Sequence, residues 1–287
     1  MKQRVVRILC GLALLALSIA YPGQSHAADL PVDLELALAI DVSGSVDDEE
    51  AMLQRNGYIA AFRHPSIIDA ISHGALGRIA VSYYEWAGFG HMKYIAGWTL
   101  INDKASAEAF AAKLGAEPPE TARRTAIAAA ITEGTASFDS NGFTARRRVI
   151  DISGDGTNNW GEQVTVARDR AVAKGVTING LPIVNDRLSP SGRKQESRLD
   201  LYYRDCVIGG PGAFYVVARD FKDFPRAVLR KLMLEIAGLR PAPKRQLLWR
   251  AQMTAPPKSP DCDIGERRWP RSVWDDEDDF PLRLPPR

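Results

Sequence analysis

Histidine and cysteine are scarce in this 287-residue chain, at four and three copies. There is no Cys-x-x-Cys pair and no Cys/His cluster of zinc-binding spacing, which excludes a zinc finger or ribbon. No His-Glu-x-x-His motif occurs, Ser153 lacks a Gly-x-Ser-x-Gly elbow, and no Gly-x-x-x-x-Gly-Lys-Ser/Thr loop is present. Zincin proteases, α/β-hydrolases and P-loop nucleotidases are therefore excluded by motif. No Lys/Arg block with interleaved aromatics marks a nucleic-acid surface, so nucleic acid is not an expected partner. No internal repeat is found, which removes the solenoid architectures.

What is there begins with a leader. Lys2, Arg4 and Arg7 precede an apolar run from Ile8 to Ala20, and Tyr21-Pro22-Gly23 breaks it before Ser25-His26-Ala27. This is the pattern of a secretory signal peptide over residues 1–27. The run is short for a membrane span, which needs about 20 residues. The expectation is a periplasmic or secreted protein with no stable membrane span after cleavage. Removing the leader's three basic residues leaves 34 of the 37 Lys plus Arg against 35 Asp plus Glu, a net charge of −1. Basicity thus belongs to the leader. Cys206 and Cys262 remain, and an oxidising compartment allows one disulfide between them. Two unpaired thiols, with Cys206 simply buried, are the alternative.

Between residues 30 and 240 strand and helix patterns alternate. Asp33–Asp41 begins with alternation and ends in a continuous apolar run, as a strand buried on both faces does. Glu49–Phe62 has helical spacing, and Arg78–Trp86 and Met92–Trp98 read as strands joined in a hairpin through Gly88 and Gly90. Helices follow at Asp103–Leu114, capped by Asp103, and at Thr125–Phe138. Arg148–Ser153 is a strand, Gln163–Ala173 a helix closed by Lys174-Gly175, and Val176–Val184 a strand. A loop over 185–200, a short helix over Leu199–Val207, a strand over Ala213–Ala218 and a helix over Phe221–Ala237 complete the domain. The pattern predicts an α/β fold: a doubly wound, mostly parallel sheet with one antiparallel edge strand and helices on both faces. Residues 241–287 hold nine of the 18 prolines and one glycine, Gly265, and read as an extended or disordered tail. The tail carries Trp249, Trp269, Trp274 and the acidic run Asp275–Asp279. A solvated tail is the expectation; docking on a partner or on its own body is the alternative.

The chemistry-bearing residues fall at one end of this sheet. Asp41, Ser43 and Ser45 alternate just past the first strand, where ligands of open α/β sheets bind. Thr125 opens a later helix, and Asp155 follows the strand ending near Ile152. Two carboxylates and three hydroxyls are all hard oxygen donors. Such a set suits Mg²⁺, which keeps waters and takes few carboxylates, or Mn²⁺. The plainer reading makes Ser43 or Ser45 and Thr125 helix caps, with Asp155 held by backbone amides.

These five residues resemble the metal-ion-dependent adhesion site of von Willebrand factor A domains, over about residues 30–240. IDVSGS, RIAVSYYEW, RRTAI, VIDISGDGTNN, VTINGLPI and YYRDCVIGGPGAF are similar to a family of exported bacterial proteins that carry this domain without an assigned activity. The resemblance implies that the hydroxyls of Ser43, Ser45 and Thr125 coordinate the metal. Asp41 and Asp155 then hold metal-bound waters, and a Glu or Asp of a protein partner fills the sixth position. Asn158, Asn159 and Trp160 would rim the site, although Asn158 and Asn159 serve equally as caps of the helix near Glu162. Arg187, Arg193, Lys194 and Arg198 in the 185–200 loop would attract acidic partners, or form a solvated loop.

A metal-dependent protein-binding module is accordingly expected, not an enzyme. A hydrolase using the same site is the alternative; past the leader, the only histidines are His64, His73 and His91, and none falls in a catalytic motif. A cytoplasmic assistant of ATP-driven machines shares the fold class, but the leader argues against it.

Overall fold

The structure, a computed structural model, describes residues 28–185, 194–220, 222–239 and 260–268. Residues 1–27, where a leader is expected, Arg187, Arg193, and the tail's tryptophans and acidic run lie outside the described residues. In chain order the elements are β1 (Leu30–Pro31), β2 (Glu35–Asp41), α1 (Asp48–Arg63), α2 (Pro65–Ser72), β3 (Ile79–Trp86) and β4 (Met92–Ile101). They continue with α3 (Lys104–Leu114), α4 (Ile127–Ser137), β5 (Phe143–Thr144), β6 (Arg148–Gly154), α5 (Val164–Ala173) and β7 (Val176–Pro182). A single helical turn α6 (Leu199–Tyr202) runs into a π-helical segment (Tyr203–Val207), followed by α7 (Phe224–Ile236) and α8 (Ile264–Arg268).

The five-stranded sheet has the order β4-β3-β2-β6-β7. All pairs are parallel except β3–β4, so the expected antiparallel edge strand is present. Every residue of β2 and β3 is buried, as a strand covered on both faces requires. One face packs Leu36, Leu38, Val81 and Leu181 against α1, α2, α3 and α7. The other packs Ala37, Ala39, Ile150 and Ile152 against α4, α5 and the Tyr202–Val207 turn.

The topology positions the site. The chain leaves β2 toward β3 on one side and later returns to β6 on the other. The crevice at a topological switch point therefore opens beyond the carboxyl ends of β2 and β6.

Local chemistry explains most element ends. Asp47 caps α1 in a capping box with Glu50, and Asp103 caps α3 in one with Ser106. One element was not anticipated, and one expectation is corrected. The segment after Arg63 is a separate helix, α2, because the His64 side chain caps Ser66 N–H and Pro65 takes the first helical position. Ala213–Ala218 is not a regular strand. It lies along β7 in isolated bridges, with Gly180 N–H donating to Phe214 O and Val184 N–H to Ala218 O. The donor between them would be residue 182, a proline without an N–H, so the ladder breaks there. Of the tail, residues 260–268 lie on the body, tied by a Cys206–Cys262 disulfide with Cα atoms 5.5 Å apart.

Candidate functional site

Asp41 is the last residue of β2, and its Oδ1 accepts the Ser43 N–H at 2.8 Å. That turn aims the Ser43 and Ser45 hydroxyls at each other, 3.2 Å apart. From the next loop the Thr125 hydroxyl donates to Ser43 Oγ at 3.1 Å. Beyond β6, Asp155 Oδ1 accepts the Ser45 hydroxyl at 2.5 Å. The structure thus brings side-chain oxygens of all five residues into one small cluster at the switch point.

Neither serine caps a helix, since Asp47 has that role for α1. Thr125 stands before α4, whose start at Ala128 N–H is served by Asn158 Oδ1 at 3.0 Å. The reading of these hydroxyls as helix caps therefore does not account for them.

Burial sets the electrostatics. Asp41 is fully buried, and its Oδ2 has no hydrogen-bond partner. Burial, and then the charge of Asp155, push the Asp41 carboxyl up to about 8. Asp155 is pushed up to about 6, by burial first and then by the Glu50 charge, against the pull of Ser45. Two buried acids that resist ionising side by side are a site short of positive charge. The donor set is entirely oxygen, so the residues fit a hard divalent cation. Among the described residues no cluster of three or more His, Cys, Asp and Glu side chains stands ready for a metal. Hydroxyls and only two carboxylates would have to hold the ion.

The second loop is held with unusual care. Ala122 N–H donates to Val42 O at 3.0 Å, and Gly88 N–H is shared between Arg123 and Arg124 carbonyls. A Cβ at Gly88 would collide with Arg124, so only glycine permits this approach. Arg124 itself sits at φ 65°, a left-handed conformation unfavourable for a long side chain, immediately before Thr125. Arg55 of α1 is buried, pairs with Glu85 of β3, and reaches the Glu117 carbonyl in the same loop.

The expected rim is partly corrected. Asn158 is fully buried and holds the fold together: its Nδ2 donates to Glu162 O at 2.9 Å and to Glu266 Oε1 at 2.8 Å. It cannot touch a partner. Asn159 is half-buried and clamps Thr125 through two 2.8 Å hydrogen bonds: its backbone N–H donates to Thr125 O, and its side-chain Oδ1 accepts the Thr125 N–H. Trp160 is half-buried, packs on Phe89 with ring centroids 4.4 Å apart, and has the Arg124 guanidinium 5.9 Å from its centroid. Of the basic loop, Lys194 and Arg198 are described, and Arg198 N–H donates to Glu196 Oε1 at 3.3 Å.

Sequence reasoning missed two contributors. Gln195 donates to Asp155 O at 2.7 Å and to Ile183 O at 2.6 Å, fixing the third loop. Tyr203, buried at the start of the π-helical segment, places its hydroxyl beside Asp41: a Cβ on Gly154 would lie 2.7 Å from Asp41 Oδ2 and 2.9 Å from the Tyr203 hydroxyl. Burial and the Asp41 and Asp155 charges keep that phenol protonated. The paired tyrosines Tyr202-Tyr203 were the only sequence signal for it.

Comparison with known proteins places the architecture. A family model described as a protein of unknown function (DUF1194) matches residues 31–240. No curated protein matches the chain. Among solved structures, proximal thread matrix protein 1 (PTMP1) from the mussel byssus superposes with a TM-score of 0.53 at 13% identity, covering 74% of this chain and 50% of that one. A second PTMP1 structure, with a zinc-occupied MIDAS motif, gives 0.51 at 13% identity over 74% of this chain and 50% of that one. The pilus adhesin SpaC from Lactobacillus rhamnosus GG in its open conformation gives 0.51 at 13% identity, over 73% and 31%. The chain spans half of PTMP1 and under a third of SpaC. At these identities the likeness shows a shared fold, the von Willebrand factor A or Rossmann-like α/β sheet.

Proposed function

The chain belongs to the DUF1194 family, proteins of unknown function, and we propose that it is an exported, metal-dependent protein-binding module and not an enzyme. One observation carries the reading. Asp41, Ser43, Ser45, Thr125 and Asp155 come from three loops to one point of the switch crevice, with a buried Asp41 oxygen left without a partner. Ser43, Ser45 and Thr125 would hold Mg²⁺ or Mn²⁺ by their hydroxyls, and Asp41 and Asp155 would supply the balancing charge. When bound, the cation supplies an electrophilic centre that attracts a Glu or Asp carboxylate of a protein partner. Asn159 keeps Thr125 in place, Gln195 keeps Asp155 in place, and Arg124 and Trp160 stand at the border where a partner's neighbouring groups would rest. The zinc-occupied motif of PTMP1 supports metal binding by this fold, and the adhesin SpaC supports its use in attachment. Among the described residues no helix is long and apolar enough to cross a membrane. The leader-like residues 1–27 support export to the periplasm or beyond.

Calorimetric titration with Mg²⁺ and Mn²⁺, alone and with acidic peptides, tests the proposal. Uptake of one ion per chain that is lost in a folded Thr125→Ala variant is expected. Absence of uptake by the folded parent protein ends the reading. Turnover of a phosphate or carboxyl ester that vanishes in Thr125→Ala would reassign the site to hydrolysis.

A further inference from the structure

We propose that a cavity at the opposite end of the sheet from the Asp41 cluster binds a small zwitterion of the amino-acid class, its ammonium on Glu35 and its carboxylate on Arg146. This site stands independently of the cation reading.

The fold builds the cavity from segments distant in sequence. Glu35 is the first residue of β2 and Asp41 the last, so about 20 Å of strand separates the two sites. The short β1–β5 pair stands at this end, with Leu30 N–H donating to Gly142 O at 2.9 Å. Asn141 fixes the turn into β5, its Oδ1 accepting the Phe143 N–H at 2.8 Å. Residues of this pair, of the segment after α4 and of the start of β6 enclose a cavity of about 580 Å³, within the range that holds small ligands. Its lining includes Asp29, Glu35, Asp139, Arg146, Arg148 and Phe138. Five of those six side chains are ionisable, which suits a charged ligand better than an apolar one.

The distribution of charge selects the ligand. Glu35 is only 2% exposed, yet among the described residues it makes no ion pair. Its Oε1 accepts from Asn141 Nδ2 at 2.7 Å, a neutral donor. Burial raises the carboxyl above its usual value, and an ammonium beside it would oppose that shift. Arg148 is the register neighbour of Glu35 across the β2–β6 pair, but its guanidinium is engaged elsewhere. It donates to Lys174 O at 2.5 Å, lies 5.9 Å from the Phe138 ring centroid, and acts on Glu35 only through space. Arg146 is exposed and donates to none of the described residues. One cavity therefore holds a buried carboxylate without a contacting cation and a guanidinium without a contacting acid. A ligand that carries both charges satisfies both groups. A simple anion would meet the charges of Asp29, Glu35 and Asp139, and a simple cation would leave Arg146 unpaired. Phe138 gives the carbon atoms between the two charges an apolar wall.

The test uses the full chain and two full-length variants, Glu35→Gln and Arg146→Ala. Glutamine keeps an acceptor for Asn141, and Arg146 holds no described contact, so both variants should fold. Four probes are titrated by calorimetry. Glycine and γ-aminobutyrate carry both charges at short and long separation, whereas n-butylamine and butyrate carry one charge each. The Asn141 side-chain amide signals in NMR report whether binding is in this cavity. At least one zwitterion is expected to bind about ten-fold or more tightly than either single-charge probe, because it makes one further charge-assisted contact. Glu35→Gln should weaken that zwitterion and butylamine by about ten-fold or more and leave butyrate unweakened. Arg146→Ala should weaken the zwitterion and butyrate and spare butylamine. No saturable binding of either zwitterion, equal affinity for all four probes, binding indifferent to Glu35→Gln, or unmoved Asn141 amide signals at saturation would each overturn the assignment. None of these readings involves Mg²⁺ or Mn²⁺, so failure here leaves the cation site untouched.

Discussion

Asp41 is the residue where stability and function conflict. Its carboxyl is fully buried, one oxygen has no partner, and its titration is raised to about 8. A carboxyl raised in the folded state contributes stability that is whole below its unfolded value and is lost as pH climbs through the folded value. The chelated protein should therefore lose stability between pH 4 and pH 8, whereas Mg²⁺ should rescue it increasingly over the same range as the proton is displaced. Asp41→Asn removes the buried charge. In chelator at pH 8.5 that variant should be more stable than the parent by roughly 1–3 kcal/mol, and the gain should vanish near pH 4. It should also gain nothing from Mg²⁺. Thermal melts at several pH values with and without chelator check this, and a wild-type profile flat between pH 4 and 8 would refute it. At this scale the convergence of the five oxygen-bearing side chains was legible because each ends or follows a buried strand or stands just before a helix. Gln195 and Tyr203 were not, since one acts from a loop and the other from the π-helical segment, and their proximity to Asp155 and Asp41 exists only in three dimensions. Asn158 was placed at the rim because adjacency to Asp155 says nothing about which side chains turn inward. The left-handed backbone of Arg124 carries no sequence signal at all, because arginine is not a residue chosen for that conformation.

Helix α7 is fastened to the sheet by charge as well as by apolar packing. Lys231 is fully buried, with Nζ 2.5 Å from both Asp151 of β6 and Glu235 one turn along its own helix. Asn179 of β7 donates to Glu235 at 2.8 Å and accepts the Phe214 N–H at 3.0 Å. Two acids share one lysine, and burial with the Asp151 charge lifts Glu235 to about 7. Asp151 is likewise raised by burial, against the pull of Lys231. Removing one member of a buried pair costs more than the pair contributes, because the partner is left uncompensated. Lys231→Met should destabilise the fold by about 3–5 kcal/mol at pH 8. The loss should shrink toward pH 5, where the acids take up protons. Urea unfolding at both values tests it; equal losses would show that the lysine's packing, not its charge, is what counts. Such a cluster is invisible in sequence, since Lys231 and Glu235 look like an ordinary exposed pair four residues apart. The elements themselves were far more legible, because apolar periodicity and caps act locally. The unanticipated α2 and the broken Ala213–Ala218 strand have local causes: Pro65 after a capping His64, and Pro182 at the end of β7.

At the scale of the whole molecule, residues 260–268 are the part of the tail that composition alone did not place on the body. Nine prolines and few periodic apolar residues predict an unstructured segment, yet a stretch of it is bound through Cys262, Glu266 and Arg268. Composition describes what a segment can do alone, and this one is ordered by partners elsewhere on the chain. The disulfide closes a loop of 56 residues. Loop-closure entropy for that length is worth about 4 kcal/mol. For a domain of this size each kcal/mol shifts Tm by about 2–4 °C. Cys206→Ser/Cys262→Ser, or reduction of the parent, should therefore lower Tm by about 10 °C. The loss should also be local in a way that entropy alone does not require. Once the strap is released, Asn158 loses its contact with Glu266, and the loop carrying Asp155 and the start of α4 share that asparagine. Amide hydrogen exchange should accelerate at Asn158, Asn159 and Ala128 well below the melting range, while β2 and β3 stay protected. Uniform acceleration across the sheet would mean that the strap stabilises only the chain as a whole and does not brace the site.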